Sequence, residues 1–306
     1  MHIFPIADPY VLREGDVYYL YASSPETGVF TVRSSTDLEN WSAEKEIFRA
    51  APDSWSIDCY WAPECHKIGG RFCLFFSANQ RNNPTGALET FRIGVAVCDT
   101  PDGRFTDLLN RPIFDPGYPI IDANILCEDG RVYLYYSRCC FEHTVNDLYE
   151  ESWVYGVELK PDLSGIVSEP VLLLYPEQEW EGRSAPTTNR RWNEGSYIVK
   201  RDGRYIMLFS ANYFCDRHYA MGYAVSDSPM GPFVKAEENP IVECIDAITG
   251  TGHGCLVETP NGLCAVYHGY TEATGKDRVG FFAPASIERG KLIVDYRSAR
   301  PMVSAE

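Results

Sequence analysis

Apolar and polar positions alternate with a period of two in five places along the chain, and each run follows a tight turn built on glycine. The turns fall at Gly15, Gly70, Gly130, Gly203 and Gly262, spaced by 55, 60, 73 and 59 residues. After them come the runs 16–23, 71–78, 131–137, 204–211 and 263–269, dominated by Tyr, Phe, Val and Leu. The first four end in small polar residues, Ser23, Ser77, Ser137 and Ser210, and the fifth in His268-Gly269. Period-two alternation after a glycine turn is the signature of a β-hairpin. After most copies comes a second strand-rich half. One is 93–98, which leads into Pro101-Asp102-Gly103; another is 222–226, which leads into Pro229-Met230-Gly231-Pro232. Two hairpins per repeat make a four-stranded antiparallel sheet. Five such sheets set radially predict an all-β fold, a five-bladed β-propeller with four strands per blade. A β-sandwich accommodates the strand count but does not predict five equivalent hairpins about 60 residues apart. No helix longer than two or three turns is expected. Segments 141–152 and 176–192 read as loops over one face, and blades sharing one ring predict a single domain over 1–306.

Composition narrows the class. Of 306 residues, 45% are hydrophobic and 13% aromatic, enough to bury a large core and exclude disorder. The formal charge of −16 excludes attachment to the phosphate backbone of nucleic acid. No run of 18 apolar residues predicts a membrane span. The eleven cysteines are odd in number and form no CxxC pair, so they read as reduced core residues acting as small hydrophobes. With an N-terminus Met1-His2-Ile3-Phe4-Pro5 that has neither the basic nor the apolar region of a signal peptide, they predict a cytoplasmic location. Oligomeric state is not encoded in any feature of the sequence.

In a propeller the first strand of each blade lines a central channel, so residues just before the five hairpins converge at its mouth. Those positions hold Asp8, then Trp61-Ala62-Pro63-Glu64, then Asp122, Glu194 and His253. Carboxylates facing one cavity repel and raise one another's pKa, a poor choice for stability and a frequent mark of function. Two carboxyls of unequal pKa are what cleavage of a glycosidic bond needs. Trp61, Tyr10 and Phe214 would offer aromatic faces to a sugar ring. Plainer roles are also open: a turn before Pro9 for Asp8, a cap for Asp122, an ion pair with Arg190 or Arg191 for Glu194, and a packed core position for His253. Glu64 is the competing carboxylate, expected to point into its blade or to pair with a cation.

Taken together, these motifs resemble glycoside hydrolase family 43. The matching text is Ala7-Asp8-Pro9, Trp61-Ala62-Pro63, Asp122-Ala123, Glu194-Gly195 followed by 222–229, and Gly252-His253-Gly254, within about residues 5–295. The resemblance implies an inverting hydrolase with Asp8 as general base, Glu194 as general acid and Asp122 raising the acid's pKa. It implies substrate contacts from Trp61, His253 and Arg278, with Arg278 touching the acid or the sugar. No cofactor is needed for the chemistry. A structural calcium ion in the channel is expected beside His253, held through water. Inversion would place the two carboxyls about 6.5–9.5 Å apart. The expected partner is a small oligosaccharide carrying a terminal pentose, α-L-arabinofuranosyl first and β-D-xylosyl next. Endo-arabinanase action and a non-catalytic sugar-binding propeller are the alternatives.

Overall fold

A computed structural model of the chain describes residues 2–83, 89–139, 144–145 and 149–305. Its strands form two four-stranded sheets, one of nine strands, one of five and a three-stranded strap, and outside the strap they fall into five consecutive antiparallel groups, here called units. The first comprises Tyr10–Glu14, Val17–Tyr21, Val29–Ser35 and Lys45–Arg49. The second comprises Ser56–Ile68, Arg71–Gln80, Phe91–Cys98 and Thr106–Asp107. The third comprises Ile120–Glu128, Arg131–Arg138, Tyr149–Leu159 and Val171–Leu174. The fourth comprises Arg190–Arg201, Arg204–Ala211, Ala220–Ser226 and Val234–Lys235. The fifth comprises Thr249–Thr259, Gly262–Tyr270, Val279–Glu288 and Lys291–Val294, with Arg300–Pro301 added on Val279–Glu288. All five predicted hairpins form. Their glycines sit at φ between 64° and 118°, the left-handed region that a turn of this kind demands.

The first strands of the units touch one another in a cycle: first to second, second to third, third to fourth, fourth to fifth, and fifth back to first. Apolar clusters fill the spaces between consecutive units. Phe30, Phe48, Tyr60 and Phe76 pack between the first and second with ring centroids 5.3–6.5 Å apart. Further clusters join the second unit to the third, the third to the fourth and the fourth to the fifth. Burying each such side chain is worth about 1.5–3 kcal/mol, which is why the aromatic-rich runs dictate the architecture. A three-stranded strap ties the chain ends together: His2–Ile3 pairs with Val303–Ser304, which pairs in parallel with Asn40–Trp41.

Two expectations change. The third and fourth units are not separate sheets, because Glu150–Ser152 pairs in parallel with Arg190–Trp192 and merges them into one nine-stranded sheet. The two long loops are also more structured than expected. Residues 149–152 belong to a strand, with Thr144–Val145 paired against it, while 140–143 and 146–148 lie outside the described residues. Within 176–192 stand a 3-10 turn, Glu179–Gly182, and one helical turn, Ala185–Thr188. No longer helix occurs among the described residues, and none could cross a membrane. The ten described cysteines are all free. Cys65, Cys73, Cys139 and Cys255 are buried as expected, whereas Cys127 and Cys215 are exposed.

Candidate active site

Each first strand begins with an irregularity that turns a side chain inward. Asp8, Ala62, Asp122, Gly195 and His253 all have φ between 43° and 59°. Register shifts accompany four of them, between Trp61 and Glu64, Ile121 and Asn124, Glu194 and Tyr197, and across Gly252–Cys255. Such bulges re-aim side chains at the expense of ladder hydrogen bonds. The polar residues that close the second strands make good part of that loss by bridging to the next unit. Ser23 Oγ accepts from Ala62 N–H at 2.8 Å, Ser77 Oγ from Asp122 N–H at 3.0 Å, and Ser210 Oγ from His253 N–H at 2.7 Å. Ser137 Oγ donates to Asp122 Oδ2, which also accepts from Gly195 N–H at 3.1 Å. His268 Nδ1 accepts from Asp8 N–H at 3.1 Å and completes the circuit.

Asp8, Asp122 and Glu194 line one cavity of about 250 Å3, walled by Trp61, Phe91, Trp192 and Phe214 and bordered by Arg278. Burial pushes the Asp8 carboxyl upward, but Arg278, His253, His268 and the Ser23 hydroxyl outweigh it and hold it well below the usual carboxylate range. The contacts are Arg278 Nη1 at 2.7 Å and His253 Nδ1 at 3.4 Å from Asp8 Oδ1, and Ser23 Oγ at 2.5 Å from Oδ2. Glu194 goes the other way. Burial and the nearby Asp122 drive it well above the usual range, and the hydrogen bond donated by Tyr219 Oη at 2.8 Å offsets only part of this. Asp122 is raised by burial and by Asp8, against the pull of His253 and its hydrogen bonds from Gly195 and Ser137. One cavity thus holds one carboxyl shifted down and two shifted up, the kind of split that acid–base chemistry uses.

Of the residues expected at the site, Asp8, Trp61, Asp122, Glu194 and Arg278 line one cavity. Trp61 faces the cavity against Phe91, ring centroids 4.8 Å apart. Arg278 pairs with Asp8 and lies over the Phe214 ring at 5.0 Å; no hydrogen bond joins it to Glu194. His253 is buried on Gly195, where a Cβ would come within 3.0 Å of its Nδ1, so that glycine makes room for the ring. Glu194 is one step out of register with Asp8 and Asp122, since the left-handed residue in its unit is Gly195. Arg190 and Arg191 are engaged by Glu150 and Glu151 rather than by Glu194. Glu64 lies beneath the site, bonded to His66 at 2.8 Å and Asn124 at 2.7 Å. Tyr10 is also beneath it, packed on His66 and Tyr197 and absent from the cavity wall. The residues around His253 do not form a direct calcium cage, which needs six to eight oxygen ligands, and no group of three metal-ligating side chains gathers among the described residues.

Two functional residues went unread in the sequence. Tyr219 carries no repeated position to mark it. His268 did leave a signal, because it stands where the other four copies have serine.

The fold and the site define the class: a propeller-like all-β protein with an acid–base carboxyl set in one cavity. The model for glycosyl hydrolases family 43 matches residues 4–286, and the chain belongs to that family. It is 30% identical over 304 residues to a β-D-galactofuranosidase of Aspergillus niger, covering 90% of this chain and 78% of that protein. It is 27% identical to an extracellular exo-α-(1→5)-L-arabinofuranosidase of Streptomyces chartreusis, covering 88% and 82%. A thermostable family-43 glycoside hydrolase superposes with a TM-score of 0.85 at 33% identity, covering 95% of this chain and 93% of that one.

Proposed function

We propose that the protein is an inverting, exo-acting glycoside hydrolase that removes terminal α-L-arabinofuranosyl units from small oligosaccharides, with β-D-xylosyl units as the second choice. The observation that carries this reading is the pair of carboxyls lining one cavity, Asp8 against Arg278 and shifted down, Glu194 beside Asp122 and shifted up. Glu194 donates its proton to the glycosidic oxygen. Asp8 takes a proton from the water that attacks the anomeric carbon from the opposite face, in a single displacement. Asp122 keeps Glu194 protonated, and Trp61 and Phe214 offer faces to the sugar. A cavity of about 250 Å3 lies below the roughly 300–1,000 Å3 of pockets for drug-sized ligands and suits one terminal sugar rather than a threaded chain. The names of the two relatives above favour a five-membered sugar ring, since both are furanosidases.

The proposal extends to architecture: one domain forming a five-bladed propeller, supported by the five four-strand units, the cycle of first-strand contacts and the circuit of hydrogen bonds around the channel.

The test is hydrolysis of p-nitrophenyl pentosides and hexosides, with NMR of the first product's anomeric configuration. The wild type should invert α-L-arabinofuranosides. Asp8→Ala and Glu194→Ala should each lose nearly all turnover, about 100-fold or more, while remaining folded. Full activity in either variant, or retention of configuration, contradicts the assignment.

A further inference from the structure

His268 contacts Asp8 directly and Glu194 through Tyr219, and is not part of the cavity wall. Its Nδ1 accepts the backbone N–H of Asp8 at 3.1 Å. Its ring lies flat against Tyr219, with centroids 5.7 Å apart and planes 12° from parallel. The Tyr219 hydroxyl in turn donates to Glu194 at 2.8 Å. Tyr219 and His268 are both fully enclosed. The stack has been given room by Gly252, where a Cβ would stand 2.1 Å from the Tyr219 ring. Burial and the neighbouring Arg278 push the His268 pKa well below its usual value, and Nδ1 offers the lone pair that receives the Asp8 N–H.

At three of the other junctions a serine hydroxyl accepts the equivalent N–H. Serine would therefore satisfy Asp8 as well. A histidine there adds what a serine lacks, a flat ring that reaches Tyr219. We infer that His268 is a positioning residue that couples the base to the acid, fixing the Asp8 backbone through Nδ1 and holding Tyr219 on Glu194 through its ring. The inference rests on the roles assigned above to Asp8 and Glu194.

Two substitutions separate the two arms. His268→Ser restores the residue of the other units and keeps an acceptor for Asp8 N–H, but abolishes the stack. His268→Phe keeps a flat ring and abolishes the acceptor. The readout is kcat/KM on two glycosides of one sugar, chosen as the best wild-type substrate. One carries an alkyl leaving group that needs protonation, the other a 2,4-dinitrophenyl group that does not. His268→Ser should lose about tenfold or more on the alkyl glycoside and change little on the dinitrophenyl one, because only the acid is disturbed. His268→Phe should lose about tenfold on both, because the base serves both. A purely structural residue would lower both substrates equally in both variants, and that pattern overturns the inference. Wild-type activity in the serine variant on the alkyl glycoside overturns it too. Melting curves identify a variant that does not fold; if that is His268→Ser, His268→Asn, which also keeps an acceptor and loses the ring, takes its place with the same expected split between substrates. Absence of hydrolysis by the wild type overturns the hydrolase reading and this inference with it.

Discussion

Asp8 and Glu194 carry the same functional group, and their surroundings drive them in opposite directions. Asp8 sits among Arg278, His253 and Ser23, while Glu194 sits beside Asp122 with one hydroxyl donor. The signs for stability follow. A depressed carboxyl such as Asp8 contributes stability above its unfolded value near 3.8, lost only as pH falls through its low folded value. A raised carboxyl such as Glu194 does the reverse. Above its unfolded value near 4.5 the native state keeps a proton the unfolded state releases, so stability declines as pH rises toward the folded value. Two outcomes are expected. Asp122→Asn removes the like charge beside Glu194, so the basic limb of the kcat/KM profile should move to lower pH; an unmoved limb would deny Asp122 its role. Glu194→Gln should abolish turnover yet melt no lower than wild type at pH 7, and higher if the neutral amide keeps the Tyr219 bond. At this scale the repeat marks Asp8, Asp122, Glu194 and Trp61, and the structure brings all four to one cavity. The repeat does not mark Tyr219, which reaches Glu194 across 25 residues of chain from a position outside it.

At the scale of elements, hairpins were legible because turn and alternation are local signals. The seam between Glu150–Ser152 and Arg190–Trp192 was not, since two segments 40 residues apart leave no local trace of pairing. The same holds for the 3-10 turn Glu179–Gly182, which is fixed by tertiary contacts. Glu181 Oε2 accepts from Glu177 and Gln178 N–H, while Oε1 receives Lys235 Nζ at 2.5 Å and Asn193 Nδ2 at 3.0 Å. Lys235 also donates to Asn193 Oδ1 at 2.7 Å and to Tyr175 O at 2.6 Å. This buried pair locks the 176–189 segment to the strand that bears Glu194, one residue past Asn193. Breaking a buried pair by removing one partner costs far more than replacing both. Lys235→Met should therefore destabilise by about 3–5 kcal/mol in denaturant melts, and Lys235→Met with Glu181→Leu should recover a large part of the loss. A loss below about 1 kcal/mol in the single variant would show the pair to be no more than surface-like.

For the whole molecule, what matters is that the site spans the point where the chain meets itself. Asp8 belongs to the first unit, but its backbone N–H is held by His268 and its carboxylate by Arg278, both from the fifth. Next to it, Ile6 N–H donates to Arg278 O at 2.7 Å and Pro5 bridges to Val279. The strap formed by His2–Ile3, Val303–Ser304 and Asn40–Trp41 reinforces this junction, with Val303 N–H donating to Glu39 O at 2.9 Å and Ala305 N–H to Trp41 O at 2.9 Å. Asp8 is thus held by contacts from the fifth unit and not by its own strand alone. Val303→Pro deletes one strap donor and leaves a carbonyl short of its partner, a loss on the order of 1–3 kcal/mol. Because the four-strand units themselves are untouched, circular dichroism at 25 °C should match wild type. The midpoints of thermal unfolding and of thermal inactivation should fall together by several degrees, since opening the junction releases Asp8 from His268 and Arg278. A lowered unfolding midpoint with an unchanged inactivation midpoint would show that the base keeps its place without closure.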